Sequence, residues 1–548
     1  MRIIFIVCII LLSTQFLAQK KSSYVSMKWE EMVWDIPGDP KIINAFETPD
    51  GYVLFKKHAI SNAFETPDGY VLFKKHAIRG PGGVNYYIEK LNKNLKRTGF
   101  YDISEGIDEK NYYVEEIFEF GGKVYLITSS DIKVSSKEEY YIQEVDWEIG
   151  SVGKRNLVYT YEYTGRRSNM SLYVRISPSN THLLLSFAPS APMQRWTRRQ
   201  TEADKRSFIV FDEELEIIDR VENVDMEYSG DQYSVIQTLI SDKADVYLLA
   251  ERIIENRGEE AIMSILKFSN GELIANQISF QEGRLNDLLI STNMDGTLYC
   301  TGYYDEGIGR RSGRGVVAMN IDPKTAEPIN ISTQLIGKDL LIEGMSDRQV
   351  SRVSRNEIAG KEPKQLSEIY AREIINHNDG TSSLIGEVYY VLSHTVSDAN
   401  GGMRTYLTYH YDEMFISRIN QNGEIISTIK LPKKRSVSVP LIRSYFAFNI
   451  KDELGIMFYD HRQNLIEIGS KGILPYPAKA KISVLAFAKI DMDGNYEREY
   501  VIDYMEKPYI GYRHYLFGRD AIMVSNSRIL FMTYYGRKKF GYGLAEIK

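Results

Sequence analysis

Three features of the sequence predict an all-β fold: a single β-propeller of eight four-stranded blades, with seven blades as the rival count. Aromatic residues are plentiful and proline is scarce, with 39 Tyr and 22 Phe beside 16 Pro in 548 residues. That composition suits half-buried sheet faces. A strand, tight turn, strand unit recurs roughly every 50–70 residues along the chain, the signature of blade repeats. The last blade lacks one strand, which the N-terminal segment can supply, so the ring closes without open edges. Hydrophobic residues at 43%, charged residues at 26% and a net charge of −6 are globular values that exclude a disordered, collagen-like or coiled-coil chain. A string of β-sandwich domains is the alternative, but it needs Pro-, Gly- or Ser-rich linkers that the chain lacks.

Residues 1–18 read as a signal peptide. Arg2 gives the positive start, 3–12 the short apolar core, and Ala18 precedes a cleavage point before Gln19. The apolar run is shorter than a membrane span requires, so the expected product is extracytoplasmic and not membrane-spanning after signal removal. It would be periplasmic, outer-membrane associated or secreted; an uncleaved anchor is the other option. Cys8 lies inside the signal, which leaves Cys300 alone and the fold without an internal disulfide. The propeller then occupies 19–548.

Residues 44–60 (NAFETPDGYVLFKKHAI) recur letter for letter at 62–78. Structural repeats keep pattern and lose identity, so perfect identity indicates a recent duplication or an engineered scar. Only one copy can hold the native hairpin, and the other is expected as an extra hairpin or a loose loop.

The degenerate repeat is clearest at its third strand, found at 86–91, 140–145, 207–211, 263–268, 316–321, 415–419 and 484–490. Each runs into a tight polar turn. Asn422-Gly423 and Asp493-Gly494 tolerate the positive φ that a hairpin turn demands. An apolar second strand precedes each of the later six, at 124–128, 182–187, 246–250, 298–301, 388–392 and 454–459. The step from the fifth to the sixth unit is longer, because 337–372 is charged and partly helical in pattern; it reads as an inter-blade insertion. After seven units the tail offers strands at 522–525, 528–534 and 542–547. Residues 25–36 then complete that last blade. The C-terminal 543–548 reads as a blade strand rather than as a separate sorting domain.

The third-to-fourth turns are tight, whereas the second-to-third connections are long, at 188–206, 251–262, 302–314, 393–412 and 460–482. These connections and the insertion belong to one face, where a rigid scaffold carries binding loops. That face is locally basic. Arg195, Trp196, Arg198 and Arg199 lie in one loop, and Arg310, Arg311 and Arg314 in another. Guanidinium groups grip carboxylates or phosphates with two bonds and Trp offers a stacking surface, so the expected ligand is an envelope protein or an acidic glycan or peptide. Solvated loop tips are the bland alternative. Export and the acidic whole exclude nucleic acid.

No nucleophile elbow, zinc helix or phosphate loop is present. The 307–313 run has the wrong glycine spacing for a dinucleotide loop. Asp491 to Asn495 begins like a calcium loop, but its glycine comes early and the terminal Glu is missing. No catalytic residue, metal or cofactor is therefore assigned. One polar cluster remains, His410 and Asp412 with Asp460 and His461, at strand ends abutting the long loops. It could serve a ligand, acid–base chemistry or a metal, or merely satisfy backbone groups where loops leave a sheet.

The run Arg372-Glu373-Ile374-Ile375, Asp379-Gly380, Ile385 to Tyr390 (IGEVYY), Tyr411-Asp412-Glu413, Asn422-Gly423-Glu424-Ile425 and Phe458-Tyr459-Asp460 with Asn464 resembles uncharacterised exported propeller-like proteins of Bacteroidota. The last element departs from that pattern, with Tyr459 in place of Asn. The resemblance implies export and the fold, with no activity and no site residues. The expected function is a non-catalytic binding or scaffold module of the cell envelope, its ligand face made of the long loops. A propeller-based hydrolase or lyase acting on glycans or peptides is the alternative.

Overall fold

The computed structural model describes residues 21–29, 33–34, 46–48, 51–53, 59–66, 69–77 and then 84–548. The exceptions after residue 84 are 109–110, 164–168, 191–204, 226–232, 254–260, 293–295, 306–311, 314, 360–365, 398–401, 439, 442–443, 467, 469, 477–481, 505–511, 515–520, 526 and 536–538. The described strands form eight antiparallel sheets of four or more strands, in simple up-and-down order. The first blade is Ala59–Thr66, Gly69–Ala77, Val84–Asn92 and Arg97–Asp102. The sixth is Ile369–Asn376, Ser382–Ser397, Met403–Ile419 and Ile425–Leu431, and the seventh Tyr445–Ile450, Glu453–His461, Ser483–Ile490 and Tyr496–Asp503. The eighth combines Ala521–Ser525, Arg528–Tyr535 and Lys539–Ile547 with the N-terminal Val25–Trp29. Eight blades, closed by the N-terminal strand, is the architecture that the repeat count and the incomplete tail predict.

Packing explains why the sheets form a ring. A central blade strand is covered on both faces, so it can be apolar throughout; all of Leu298–Asp305 is buried. The buried apolar side chains of the described residues fall into eight clusters, each straddling two neighbouring blades. The closing contact sets Leu72, Leu91 and Leu95 of the first blade against Leu530, Tyr542 and Leu544 of the eighth. There the Tyr542 hydroxyl donates to Glu89 Oε2 at 2.6 Å, and Arg97 Nε donates to the other oxygen at 2.5 Å. Tight turns keep successive strands antiparallel. Asn270 and Gly271 both have positive φ (53° and 77°) between Ala261–Ser269 and Glu272–Gln277, as a two-residue hairpin turn requires.

Two expectations change. The 393–412 connection is not a loop: Ser382–Ser397 and Met403–Ile419 stay paired out to Ser397↔Met403, so the strands leave the blade as a two-stranded arm. The insertion holds two helices, Lys338–Ile342 and Asp347–Ile358, and ends before Ile369, where the sixth blade starts. The duplicated segment divides its copies. The second supplies the first two strands of the first blade, and the first forms a separate hairpin, Phe46–Thr48 with Gly51–Val53. Residues 1–18 lie outside the described residues.

His377, at the turn between the first two strands of the sixth blade, is buried and links it to the seventh. Its Nδ1 lies 3.0 Å from Asn449 Oδ1 and its Nε2 2.8 Å from Ser383 Oγ. Burial, then the nearby Arg418 charge, lowers its pKa from 6.5 to about 4. The unfolded chain therefore takes up the proton first. Stability is intact above the unfolded value and falls as the pH drops from 6.5 toward 4, by about 3 kcal/mol in all. Urea unfolding at pH 7 and pH 4.5 should register most of that loss, and His377→Gln should flatten it.

Candidate functional site

The face carrying the second-to-third connections and the inter-blade insertion brings chemistry together mainly where the sixth and seventh blades meet. The arm leaves the sheet at a bulge: Glu387 pairs with Met414 and Tyr389 with Tyr411, so residues 412–413 oppose Val388 alone. Bulges re-aim side chains, and this one turns Asp412 inward. Its Oδ2 accepts the Tyr390 hydroxyl at 3.0 Å, while its Oδ1 is buried with no hydrogen-bond partner among the described residues. Burial first, then the Glu413 charge, raises the Asp412 pKa. The His410 ring stacks on Tyr390 at 4.5 Å with planes 6° apart. Its Nδ1 meets Ser436 Oγ at 2.9 Å and its Nε2 is buried without a partner.

Asp460 and His461 do something else. His461 Nδ1 accepts the Gln463 backbone N–H at 3.1 Å and caps the short 3₁₀ turn Arg462–Leu465. Asp460 accepts the His461 N–H at 2.8 Å, Asn464 Nδ2 at 2.6 Å and Arg498 Nη1 at 3.1 Å. Asn464 in turn holds Leu474 by its N–H and its carbonyl, both at 2.9 Å. These residues pin a loop to a strand end. Among the described residues no hydrogen bond or ion pair joins them to His410 or Asp412.

A dense charge centre among the described residues was not singled out by sequence. Lys433 and Glu387 side chains, each 2% exposed, pair at 2.6 Å. Lys433 Nζ also donates to the Tyr411 carbonyl and to Ser444 Oγ, both at 3.2 Å, and the Ser444 hydroxyl donates to Glu387 Oε1. Arg372 reaches Glu387 Oε2 at 3.1 Å and lies against the Tyr370 and Tyr389 rings. Nearby, Arg435 lies 4.8 Å from the Tyr459 ring and 5.5 Å from the Tyr476 ring. Burial lowers the Lys433 and Arg435 pKa values. This network fastens the segment between the two blades to both. Its only sequence signal is the run Lys433-Lys434-Arg435, which reads as a solvated charge run until its partners are known.

Arg195, Trp196, Arg198, Arg199, Arg310, Arg311 and Arg314 lie outside the described residues. What flanks the second basic loop is described: Ser312–Gly313 pairs with Leu366–Ser367, tying it to the insertion. The turn at Asp491 is a hairpin turn, with Asp491 Oδ1 accepting the Asn495 N–H at 2.8 Å and Gly494 at φ 85°. No group of three or more His, Cys, Asp or Glu suited to a metal occurs among the described residues. No described helix is long and apolar enough to cross a membrane.

No family model matches the sequence, and no curated protein does. Among solved structures the chain is similar to the WD40 domain of SCAP from fission yeast, at 7% identity and TM-score 0.37, covering 96% of this chain and 98% of that one. It is also similar to the β-propeller domain of the Trilobed protease from Pyrococcus furiosus, at 10% and 0.35, covering 83% and 98%. A third likeness is to prolyl oligopeptidase B from Galerina marginata, at 9% and 0.36, covering 96% of this chain and 57% of that one. The chain thus spans little more than half the length of that enzyme. At such identities and scores nothing about activity passes from these proteins to this chain, and the ring rests on its own sheet order.

Proposed function

We propose that the chain is an exported, non-catalytic propeller that serves as a binding or scaffold module of the cell envelope, akin to exported propeller-like proteins of Bacteroidota. One observation carries the reading: Glu387 and Asp460, carboxylates buried where the sixth and seventh blades meet, are spent on neighbouring side chains. Glu387 is held by Lys433, Ser444 and Arg372, and Asp460 by Arg498 and Asn464. A catalytic centre needs titratable groups that a substrate can reach, whereas a binding face needs the loops and a rigid base under them. The basic residues Arg195, Arg198, Arg199, Arg310, Arg311 and Arg314, with Trp196, suit an acidic glycan, an acidic peptide or an acidic envelope protein.

Affinity for acidic glycans or peptides should fall as salt rises, because exposed ion pairs are screened over about 8 Å at physiological ionic strength. Replacing Arg198 and Arg199 by Ala should lower affinity and flatten the salt dependence, with stability changed by no more than about 0.5 kcal/mol. Calorimetric titration across a salt series checks both. Binding indifferent to salt and to the double substitution would place the ligand elsewhere. A hydrolase or lyase is the second reading, favoured by the buried unpartnered Asp412 Oδ1 and His410 Nε2 beside Tyr390. It requires that the same polymers be cleaved during those titrations and that Tyr390→Phe stop the cleavage.

A further inference from the structure

The insertion between the fifth and sixth blades carries a basic surface on its longer helix, Asp347–Ile358. Arg348, Arg352 and Arg355 recur at i, i+4 and i+7, so they share one face. At 3.6 residues per turn and 1.5 Å per residue they occupy about 60° of arc and about 10 Å of axis. All three are exposed, while Val350 and Val353 on the opposite side are half-buried. The helix is anchored at its start. Ser346 and Gln349 form a capping box, in which Gln349 Oε1 accepts the Ser346 N–H at 2.9 Å and Ser346 Oγ accepts the Gln349 N–H at 3.4 Å. The Asp347 N–H donates to the Ser470 carbonyl at 3.0 Å, and the Ile473 N–H to the Gly344 carbonyl at 2.8 Å. A Cβ on Gly472 would lie 2.5 Å from the Ser346 nitrogen, so the helix start and the 460–482 connection of the seventh blade meet backbone to backbone.

Among the described residues no ion pair holds any of the three arginines, and their one side-chain hydrogen bond runs from Arg355 Nε to the Ser351 carbonyl at 3.2 Å. Exposed cations elsewhere are matched: Lys123 with Glu144, Lys137 with Glu162, Arg220 with Glu222. Like charges a turn apart disfavour a helix, and an anion that joins them removes that cost. We propose that this face holds an acidic polysaccharide with a carboxylate on each sugar, one carboxylate to each guanidinium. Neighbouring arginines stand about 5–6 Å apart, near the length of one ring in a linked sugar chain and inside the screening length of about 8 Å. A polymer charged at every sugar meets all three at once, whereas one charged at every second sugar meets only Arg348 and Arg355. Each guanidinium takes a carboxylate with two bonds. Ser351 and Asn356, exposed on either side of the row, offer polar groups to sugar hydroxyls. An acidic peptide fits less well, because peptide recognition draws on an open sheet edge or an apolar groove, and a helix face supplies neither. The inference rests on reading this side of the ring as a binder of acidic polymers, and it places the contact on residues separate from 195–199 and 310–314.

Calorimetric titration of the full chain with galacturonate oligomers at low salt should show binding. The same oligomers fully methyl-esterified, and so stripped of charge along the chain, should bind at least tenfold more weakly. Hyaluronate oligomers, charged at every second sugar, should fall between the two. Arg348→Ala, Arg352→Ala and Arg355→Ala together should weaken galacturonate binding at least tenfold and flatten its salt dependence. The melting temperature should not change, since all three side chains face water. Lys93→Ala with Lys96→Ala, exposed in a third-to-fourth turn on the opposite face, should leave the affinity within twofold. Arg198→Ala with Arg199→Ala separates the helix from the loops. Binding lost in that variant but kept in the helix variant overturns the inference and leaves the loop reading standing; the reverse result supports the helix and removes the loops. Equal affinity for galacturonate and hyaluronate overturns the inference. So does a chain that binds no galacturonate, including one that takes only anionic vesicles or acidic peptides.

Discussion

Removal of residues 1–36 should lower the unfolding free energy by about 5 kcal/mol. The strand Val25–Trp29 pairs along its whole length with Lys539–Ile547, from Val25↔Ile547 to Trp29↔Gly543. Val25 is buried in the cluster between the seventh and eighth blades, beside Ile529, Ala545 and Ile547. The approach to the strand is held too: the Ser22 N–H donates to the Tyr500 carbonyl at 2.7 Å, and the Lys548 N–H to the Tyr24 carbonyl at 2.8 Å. Five ladder positions at a net of roughly 0.5–1 kcal/mol each, plus about 2 kcal/mol for the apolar cover, set the size of the loss. The shortened chain should also aggregate, because Lys539–Ile547 becomes an open edge. Equilibrium urea unfolding measures the loss. An unchanged midpoint would mean that the ring does not depend on its N-terminal clasp.

Glu387→Ala should cost about 3–5 kcal/mol, the range for breaking one side of a buried ion pair. The substitution leaves the Lys433 ammonium buried with only the Tyr411 carbonyl and Ser444 Oγ. Lys433→Met should cost less, because Glu387 keeps Arg372 and the Ser444 hydroxyl. In Glu387→Ala, Lys433 loses the charge that most opposes its burial, so its pKa falls further below 10.5, the direction burial already imposes. The unfolded chain then binds more protons than the folded one, so that variant should regain stability as the pH rises toward 10.5. Guanidinium unfolding of the two single variants and their combination separates the pair energy from the cost of the orphaned charge.

The ring was legible because blade strands obey local rules. Alternation and a turn residue with positive φ are enough to place Phe415 to Ile419 before Asn422-Gly423, and Val484 to Ile490 before Asp493-Gly494. The missing strand of the last blade was legible by the same logic, since an incomplete sheet needs a partner. The arm was misread because 393–412 was treated by length alone. Its Gly401-Gly402 flanked by alternating Thr405, Leu407 and Tyr409 carries a hairpin signal of its own. The network at the sixth and seventh blades was not legible at all. Glu387 and Lys433 meet only after two blades stack, and nothing local in either stretch names its partner. Asp412 was found from its neighbour His410, yet its unpartnered oxygen follows from a bulge that periodicity does not reveal.

The two identical copies of the first hairpin make the first blade a choice between equivalent frames. Its first two strands as they stand leave residues 35–58 ahead of the blade and 78–83 within it. Sliding back by one copy would leave 35–40 ahead and 60–83 within, the same two loop lengths in reverse order. Closure entropy depends on loop length alone to first order, so it does not separate the frames. Only Ala59-Ile60-Ser61 against Lys41-Ile42-Ile43 distinguishes them at the strand start. The buried Val71, Leu72 and Phe73 have exact understudies in Val53, Leu54 and Phe55. Damage to the working copy therefore leaves the ring a spare part, and the chain carries mutational tolerance at its first blade that no other blade possesses.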